Sequence, residues 1–256
     1  MLKLLLGRAG TGKTRALLEA MAAGDGRPQI LIVPEQHSHS MERQLCAIGG
    51  SRVSLFAEVL SFTRLANRVF SVYGGLAAPA LDGGGRLLLL CAALKSVAPE
   101  LRVYQRPSRK PAFLSGLLAT VDELKTCRIT PEQLWTAGEE SGGGEGDKLR
   151  DLSLIYGAYE AMTARQGADP RDRLTRLAEA LTREDWAVGK DFYLDAFTDF
   201  TPQERAVLSA LLGKANSVTV ALTCDKLEED EGARGSFPPP AAPPASSSGW
   251  PRSGAF

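Results

Sequence analysis

The stretch LKLLLGRAGTGKT, residues 2–14, decides the fold. Its first five residues, four of them leucine, form an apolar run that stops at Gly7, as a buried strand does. The next eight match G-x-x-x-x-G-K-[ST] at every fixed position. Each part has a physical task. The glycines let the backbone of Gly7, Arg8, Ala9, Gly10, Thr11 and Gly12 wrap so that its N–H groups face phosphate oxygens, and a helix opening at Lys13 adds the positive end of its dipole. Lys13 reaches the β- and γ-phosphates, and Thr14 gives its hydroxyl to Mg²⁺. Residues 13–23 are rich in helix formers. A strand before the loop and a helix after it set this phosphate loop (P-loop) apart from an ordinary glycine turn at a helix end. ATP and Mg²⁺ are therefore the expected ligands.

Outward from the loop, residues 29–33 (QILIV) read as a second buried strand closed by Pro34, followed by a polar helix near 38–48. Residues 53–56 are the third strand candidate. Ser61 caps a helix over 62–73 that ends at Gly74 and Gly75. Strands alternating with helices predict an α/β fold with a parallel, doubly wound sheet. From about residue 83 to 189 the pattern is helical: 87–97, 112–127, 149–165 and 172–182 carry apolar residues at helical spacing, Pro131 stands at a helix start after Thr130, and glycines at 142–144 and 146 mark a flexible loop. The α/β pattern returns with a strand at 192–194 ending in Asp195, a helix opened by Thr201, Pro202 and Glu204, and a strand at 217–222.

The predicted division is a core over 1–82, an all-helical insertion over 83–189, the rest of the core over 190–225, and a disordered tail over 226–256. That tail holds one residue of the Leu, Ile and Val class, six prolines and five serines, a composition that cannot offset its own ordering entropy. Its abrupt change of character after a strand suggests a truncated or frame-shifted product of a longer chain.

Thirty Lys plus Arg balance thirty Asp plus Glu, so no global positive field draws the protein onto nucleic acid. Cys46, Cys91, Cys127 and Cys224 form no C-x-x-C pair and are expected to be scattered, mostly buried free thiols. The start MLKLLLG has one lysine and an apolar run far below the ~7–15 residues of a signal core, and no run approaches the ~18 apolar residues that span a bilayer. The predicted setting is the cytoplasm, with no membrane association.

A P-loop ATPase also needs a carboxylate at the end of another buried strand to hold the Mg²⁺ shell. Asp195 offers it. The run Asp195-Ala196-Phe197-Thr198-Asp199 is similar to the D-E-x-Q-D box of superfamily 1 helicases, with Ala196 where the water-activating glutamate belongs and Thr198 where the phosphate-sensing glutamine belongs. A methyl group cannot orient a water, so turnover is expected to be weak or absent. Ser61-Phe62-Thr63-Arg64 resembles the T-F-H-x-L segment that those helicases place against single-stranded DNA. A hydroxyl, an aromatic ring and an arginine suit phosphate contact and base stacking. Equally, Ser61 can be a helix cap with Phe62, Leu65 and Val69 as a core stripe. His37 and His39 make no metal site without further ligands.

Together GRAGTGKT, ILIVPEQ…MERQL, EVLSFTRLANRVF and FYLDAFTDFTPQE resemble the N-terminal part of the AddB family, the B subunits of bacterial AddAB helicase–nucleases. The resemblance covers roughly residues 1–225. It implies a RecA-like lobe, a heterodimer with an AddA-like helicase–nuclease subunit, contact with DNA, and a role in processing double-strand breaks for recombination. The family's nuclease domain and cysteine-ligated iron–sulfur cluster lie far C-terminal and are not carried over to the four cysteines here. Two other readings remain: a stand-alone P-loop ATPase or kinase, and a non-catalytic scaffold for a helicase partner.

Overall fold

Leu4, Val220, Leu194, Ile32 and Leu60 stand side by side across a five-stranded sheet. Its strands are β1 (Leu2–Gly7), β2 (Gln29–Ile32), β3 (Ala57–Leu60), β4 (Asp191–Leu194) and β5 (Ser217–Thr223). Their order is β1-β5-β4-β2-β3, and every pairing is parallel. The protein is thus α/β with a parallel sheet, seen in a computed structural model that describes residues 1–24, 26–77, 79–105 and 111–224. The tail expected over 226–256 lies outside the described residues.

Two helical layers cover the sheet. Helices α1 (Lys13–Ala22) and α2 (Ser38–Gly49) place Leu17, Leu18, Met21, Met41 and Leu45 against Leu31, Val33 and Val59. On the opposite face, α3 (Phe62–Tyr73), α8 (Arg173–Arg183) and α9 (Pro202–Lys214) pack Leu65, Val69, Leu177, Leu181, Val207 and Leu211 onto Ile30, Ile32, Phe192, Leu194 and Val218. Leu18 and Leu31 are wholly buried, which stabilises the fold by about 1.5–3 kcal/mol for each side chain. The connections through α1 and α2 run along the sheet toward β3, and those through α3–α8 and α9 run back toward β1. Right-handed crossovers require these two groups to lie on opposite faces.

Between α3 and α8 the chain makes an all-helical insertion. Helices α4 (Gly83–Val97), α5 (Pro111–Thr126), α6 (Pro131–Ser141) and α7 (Gly143–Gln166) share their own core of Leu90, Leu94, Val121, Leu134, Ile155 and Tyr159. Helix α8 falls within residues 83–189 but packs on the sheet. The chain enters and leaves through a parallel bridge between Ala80 and Ala168, in which Leu81 N–H donates to the Ala168 carbonyl at 3.0 Å and Ala168 N–H to that of Pro79 at 3.0 Å. An ionic knot sits beside this neck. Lys125 bonds Asp172 at 2.6 Å and pairs with Glu160 at 2.5 Å, while Arg86 pairs with Asp122 and lies 3.0 Å from Asp169.

Several starts follow the capping rules directly. Ser61 accepts from Arg64 N–H and Asp82 from Gly85 N–H. Thr130 with Gln133, and Thr201 with Glu204, form capping boxes with proline in the first turn.

Four expectations are corrected. Among the described residues β1 is an edge strand: Leu2 is 37% and Leu4 53% exposed, although an apolar run of this kind normally has a neighbour on both sides. Residues 53–55 form a 3₁₀ turn that anchors Val53 under α2, and the third strand is Ala57–Leu60, where the helix-favouring Ala57 and Glu58 hide the β pattern. The glycines at 143, 144 and 146 open α7 instead of forming a loop, because Gly146 lies against Gly138 of α6. The cysteines are free but not buried: Cys46 and Cys127 are exposed, Cys91 and Cys224 intermediate. Among the described residues no helix is long and apolar enough to cross a membrane.

Candidate functional site

Parallel strands bring four of the sequence motifs to one edge of the sheet. From the row Leu4–Val220–Leu194–Ile32–Leu60, one further residue reaches Asp195 after β4, Val33 after β2 and Ser61 after β3. The phosphate loop begins two residues beyond that level, at Gly7, whose carbonyl accepts from Cys224 N–H at 3.2 Å. Strand β5 lies between β1 and β4, so loop and carboxylate are separated laterally by roughly 10 Å, two strand spacings. That span suits a triphosphate with its metal.

Within the loop, Gly10 (φ 78°) and Gly12 (φ 85°) occupy the left-handed region that other residues enter at a cost. Gly12 caps α1 without any side-chain hydrogen bond, and no acidic residue stands in the first turn. The first turn of α1 thus has no side-chain cap, as is also true of α2, α7 and α8, while α3, α4, α6 and α9 are capped by Ser61, Asp82, Thr130 and Thr201. Lys13 Nζ bonds the carbonyls of Gly7 at 2.8 Å and Arg8 at 2.7 Å, which holds its ammonium over the concave side of its own loop. Thr11 Oγ1 donates to the Arg8 carbonyl at 2.9 Å, Thr14 is half-buried, and Ala9 is exposed.

Asp195 is only 5% exposed, and its Oδ2 has no hydrogen-bond partner. A buried carboxylate oxygen left without a partner costs about 1–3 kcal/mol or more, and an ion or water is one way to complete it; Gln29 Oε1 and Ser38 Oγ are unpartnered as well. Among the described residues no group of three or more His, Cys, Asp or Glu could hold a metal. One carboxylate and one hydroxyl nevertheless fit Mg²⁺, which takes one or two carboxylate ligands and draws the rest of its shell from phosphate and water. Ala196, next in the chain, is exposed with φ 65°, a left-handed turn that throws the following residues back over α3.

Ser61 and Phe62 are buried, at 2% and 6% exposure, with the Ser61 hydroxyl engaged as a cap; Thr63 and Arg64 are exposed. Sequence reasoning missed the aromatic ladder Phe62–Phe197–Phe200, with centroid separations of 5.5 and 4.9 Å, which ties the loop after Asp195 to the start of α3. The spacing F-x-x-F was its signal. Gln203, inside the FTPQE motif, donates to the Arg171 carbonyl at 2.8 Å and the Thr175 hydroxyl at 3.0 Å, joining α9 to the chain returning from the insertion.

A parallel sheet with a glycine-rich phosphate loop after one strand and a buried aspartate after another defines a P-loop α/β protein of the RecA-like kind. The family described as "ADDB, N-terminal" matches residues 4–241, and the chain belongs to that family. It is 38% identical over 229 residues to the ATP-dependent helicase/deoxyribonuclease B subunit of Thermoanaerobacter sp. (strain X514), covering 88% of this chain and 20% of that protein. The proteins of the same description from Desulforudis audaxviator (strain MP104C) and Pelotomaculum thermopropionicum (strain DSM 13744 / JCM 10971 / SI) are 41% and 39% identical over 234 residues, each again covering 88% of this chain and 20% of the relative. The chain thus spans about a fifth of the length of these curated relatives.

Proposed function

We propose that this chain is the nucleotide-binding, helicase-like portion of a DNA helicase/exonuclease subunit that acts in the cytoplasm, with an AddA-like partner, on double-strand breaks destined for recombination. The amides of residues 7–12 and the Lys13 ammonium hold the phosphates of ATP. Thr14 and Asp195 hold Mg²⁺, Asp195 most simply through a water, given the strand between them. Thr63 and Arg64 are the exposed members of the segment proposed to meet single-stranded DNA, with Ser61 and Phe62 setting their position. The observation that carries the reading is the buried, unpartnered Oδ2 of Asp195 on the same sheet edge as the loop.

Ala196 favours binding without efficient hydrolysis. A bound Mg²⁺ would neutralise charge on the phosphates, but a methyl group neither accepts a proton nor orients the attacking water. The same residue supports a second reading, a scaffold that engages its partner without turnover.

Titration with a fluorescent ATP analogue tests the site. Lys13→Ala is expected to weaken binding at least 10-fold, and unchanged affinity would count against the assignment. ATPase assays with and without single-stranded DNA separate the readings: DNA-independent turnover indicates a stand-alone ATPase or kinase, and partner binding with no nucleotide affinity indicates the scaffold.

A further inference from the structure

Among the described residues four side chains carry a buried oxygen with no hydrogen-bond partner: Gln29, Ser38, Glu160 and Asp195. Glu160 is answered by the Lys125 ammonium, and Gln29 opens β2 at the end of the sheet remote from the phosphate loop. Ser38 and Asp195 remain, both at the loop end and both 5% exposed.

These two residues flank Val33. Asp195 N–H donates to the Ile32 carbonyl at 3.2 Å, which sets Asp195 beside the end of β2 at one strand spacing, roughly 5 Å. Side chains alternate along a strand: Leu194 packs with α3, α8 and α9, so Asp195, like Tyr193, turns to the face that α1 and α2 cover. Val33 lies in that layer too, with Met41 and Leu45 of α2. Ser38 belongs to the same buried stripe of α2 and stands nearer the loop end of the sheet than Met41. Only Pro34 and the 3₁₀ turn Glu35–His37 separate it from Val33. Its place in the helix leaves its hydroxyl unused. Ser61, Thr130 and Thr201 are N-caps, and each accepts from the N–H three residues on. At α2 the N-cap is His37, so Ser38 is the first helical residue and makes no cap bond. Two orphaned oxygens on adjoining elements of one face point to a shared partner.

We propose that Ser38 is a positioning residue of the magnesium site: a water of the Mg²⁺ shell donates one hydrogen to Asp195 Oδ2 and the other to Ser38 Oγ. This rests on the nucleotide reading above and adds a residue to it. The chemistry fits the two acceptors. Mg²⁺ keeps several of its waters when it binds a protein with one or two carboxylates, and each such water has two hydrogens to give. A carboxylate and a neutral hydroxyl accept both, whereas a second carboxylate would set further negative charge against the phosphates. Ser38 thus acts through the water and fixes its orientation, as groups behind a metal's direct ligands do.

Calorimetric titration of the 256-residue chain with a non-hydrolysable ATP analogue, with and without Mg²⁺, decides this. Ser38→Ala is expected to keep the metal-free affinity and to weaken the affinity in Mg²⁺ about 10-fold, with Ser38→Thr retaining it. In an Asp195→Asn background the same change should cause no further loss, because the water has already lost its anchor. The melting temperature of ligand-free Ser38→Ala should be unchanged or raised, since the hydroxyl it removes is unpaired. Gln29→Met, at the other end of the sheet, should leave the Mg²⁺ effect intact. An undiminished Mg²⁺ effect in Ser38→Ala, or additive losses in the double variant, would overturn the proposal and leave the nucleotide site standing. A melting temperature lowered by several degrees would also overturn it, by making Ser38 a structural group. A wild-type chain that binds no nucleotide would remove the nucleotide reading itself, and this proposal with it.

Discussion

The centroid of the Phe197 ring lies 5.5 Å from that of Phe62, at an interplanar angle of 58°. Phe62 opens α3 directly after the cap Ser61, and Phe197 follows Asp195 by two residues, so one ring contact joins the ends of β3 and β4 across the intervening β2. Phe197 is half-buried, and its removal loses both packing and the tilted aromatic contacts. Phe197→Ala is expected to lower stability by about 1–3 kcal/mol, read from urea unfolding, with Phe197→Tyr retaining most of the difference.

Asp195 should behave as a ligand-binding group rather than a structural one. Asp195→Asn relieves a buried charged oxygen that has no protein partner, and is expected to raise stability by up to about 1–2 kcal/mol. The same variant should keep the Mg²⁺-free affinity for nucleotide and lose the increment that Mg²⁺ adds. Calorimetric titration with and without the metal checks both halves.

Lys125 is 3% exposed and faces Glu160, Asp169 and Asp172. Burial opposes its charge, but Asp172 and Glu160 outweigh burial and hold it above the usual lysine value. Burial lifts Glu160 and Asp172 above the ordinary carboxylate range despite Lys125. Asp169 lies below that range: burial pushes it up, but the Arg171 N–H, Lys125, Tyr159 and Arg86 together favour its charged form. The signs therefore differ within one cluster. The contribution of Asp169 is present above its unfolded value of about 3.9 and is lost as pH falls through its lower folded value. Those of Glu160 and Asp172 are present below about 4.3 and 3.9 and are lost as pH rises through their higher folded values. Lys125→Met leaves three carboxylates without their ammonium and lifts all three folded values. It should cost about 3–5 kcal/mol at neutral pH, with the deficit shrinking as pH is lowered toward about 5. Urea midpoints of both proteins at the two pH values provide the comparison.

Two glycines of α7 should respond oppositely to the same substitution. A Cβ on Gly146 would meet the Gly138 carbonyl oxygen at 2.3 Å, whereas one on Gly144 meets nothing within 4 Å. Gly146→Ala is expected to destabilise by about 1–3 kcal/mol by forcing α6 and α7 apart. Gly144→Ala should stabilise by about 0.5–1 kcal/mol through the lower backbone entropy of the unfolded chain. Thermal unfolding of the pair distinguishes close packing from flexibility as the reason for the glycine run.

Elements whose signal is local were legible in the sequence. The cap at Ser61, the Thr130-Pro131 start and the Thr201-Pro202-Glu204 box each satisfy or spare backbone groups within three or four residues, and the structure places helix starts where those residues imply, as it does after the glycine loop at Lys13. What escaped was set by distant neighbours. The exposure of Leu2 and Leu4 follows from the edge position of β1, which an apolar run does not encode. Ala57 and Glu58 favour helices in isolation, yet pairing with Gln29 and Ile30 makes them a strand. Gly146 looks like a loop residue until Gly138 stands opposite. At the site, Asp195 could be read from a short strand ending in an acid, while the ring contacts of Phe197 depend on a left-handed turn at Ala196 that composition does not announce.

The single bridge between Ala80 and Ala168 gives the insertion a detachable character. Its entry and exit stand one bridge apart, so excising the four helices would leave a gap that a residue or two could span, and the sheet would lose none of its crossovers. The insertion keeps its own hydrophobic cluster, separate from the two that cover the faces of the sheet, and only a few hydrogen bonds and charged side chains stand at the neck between them.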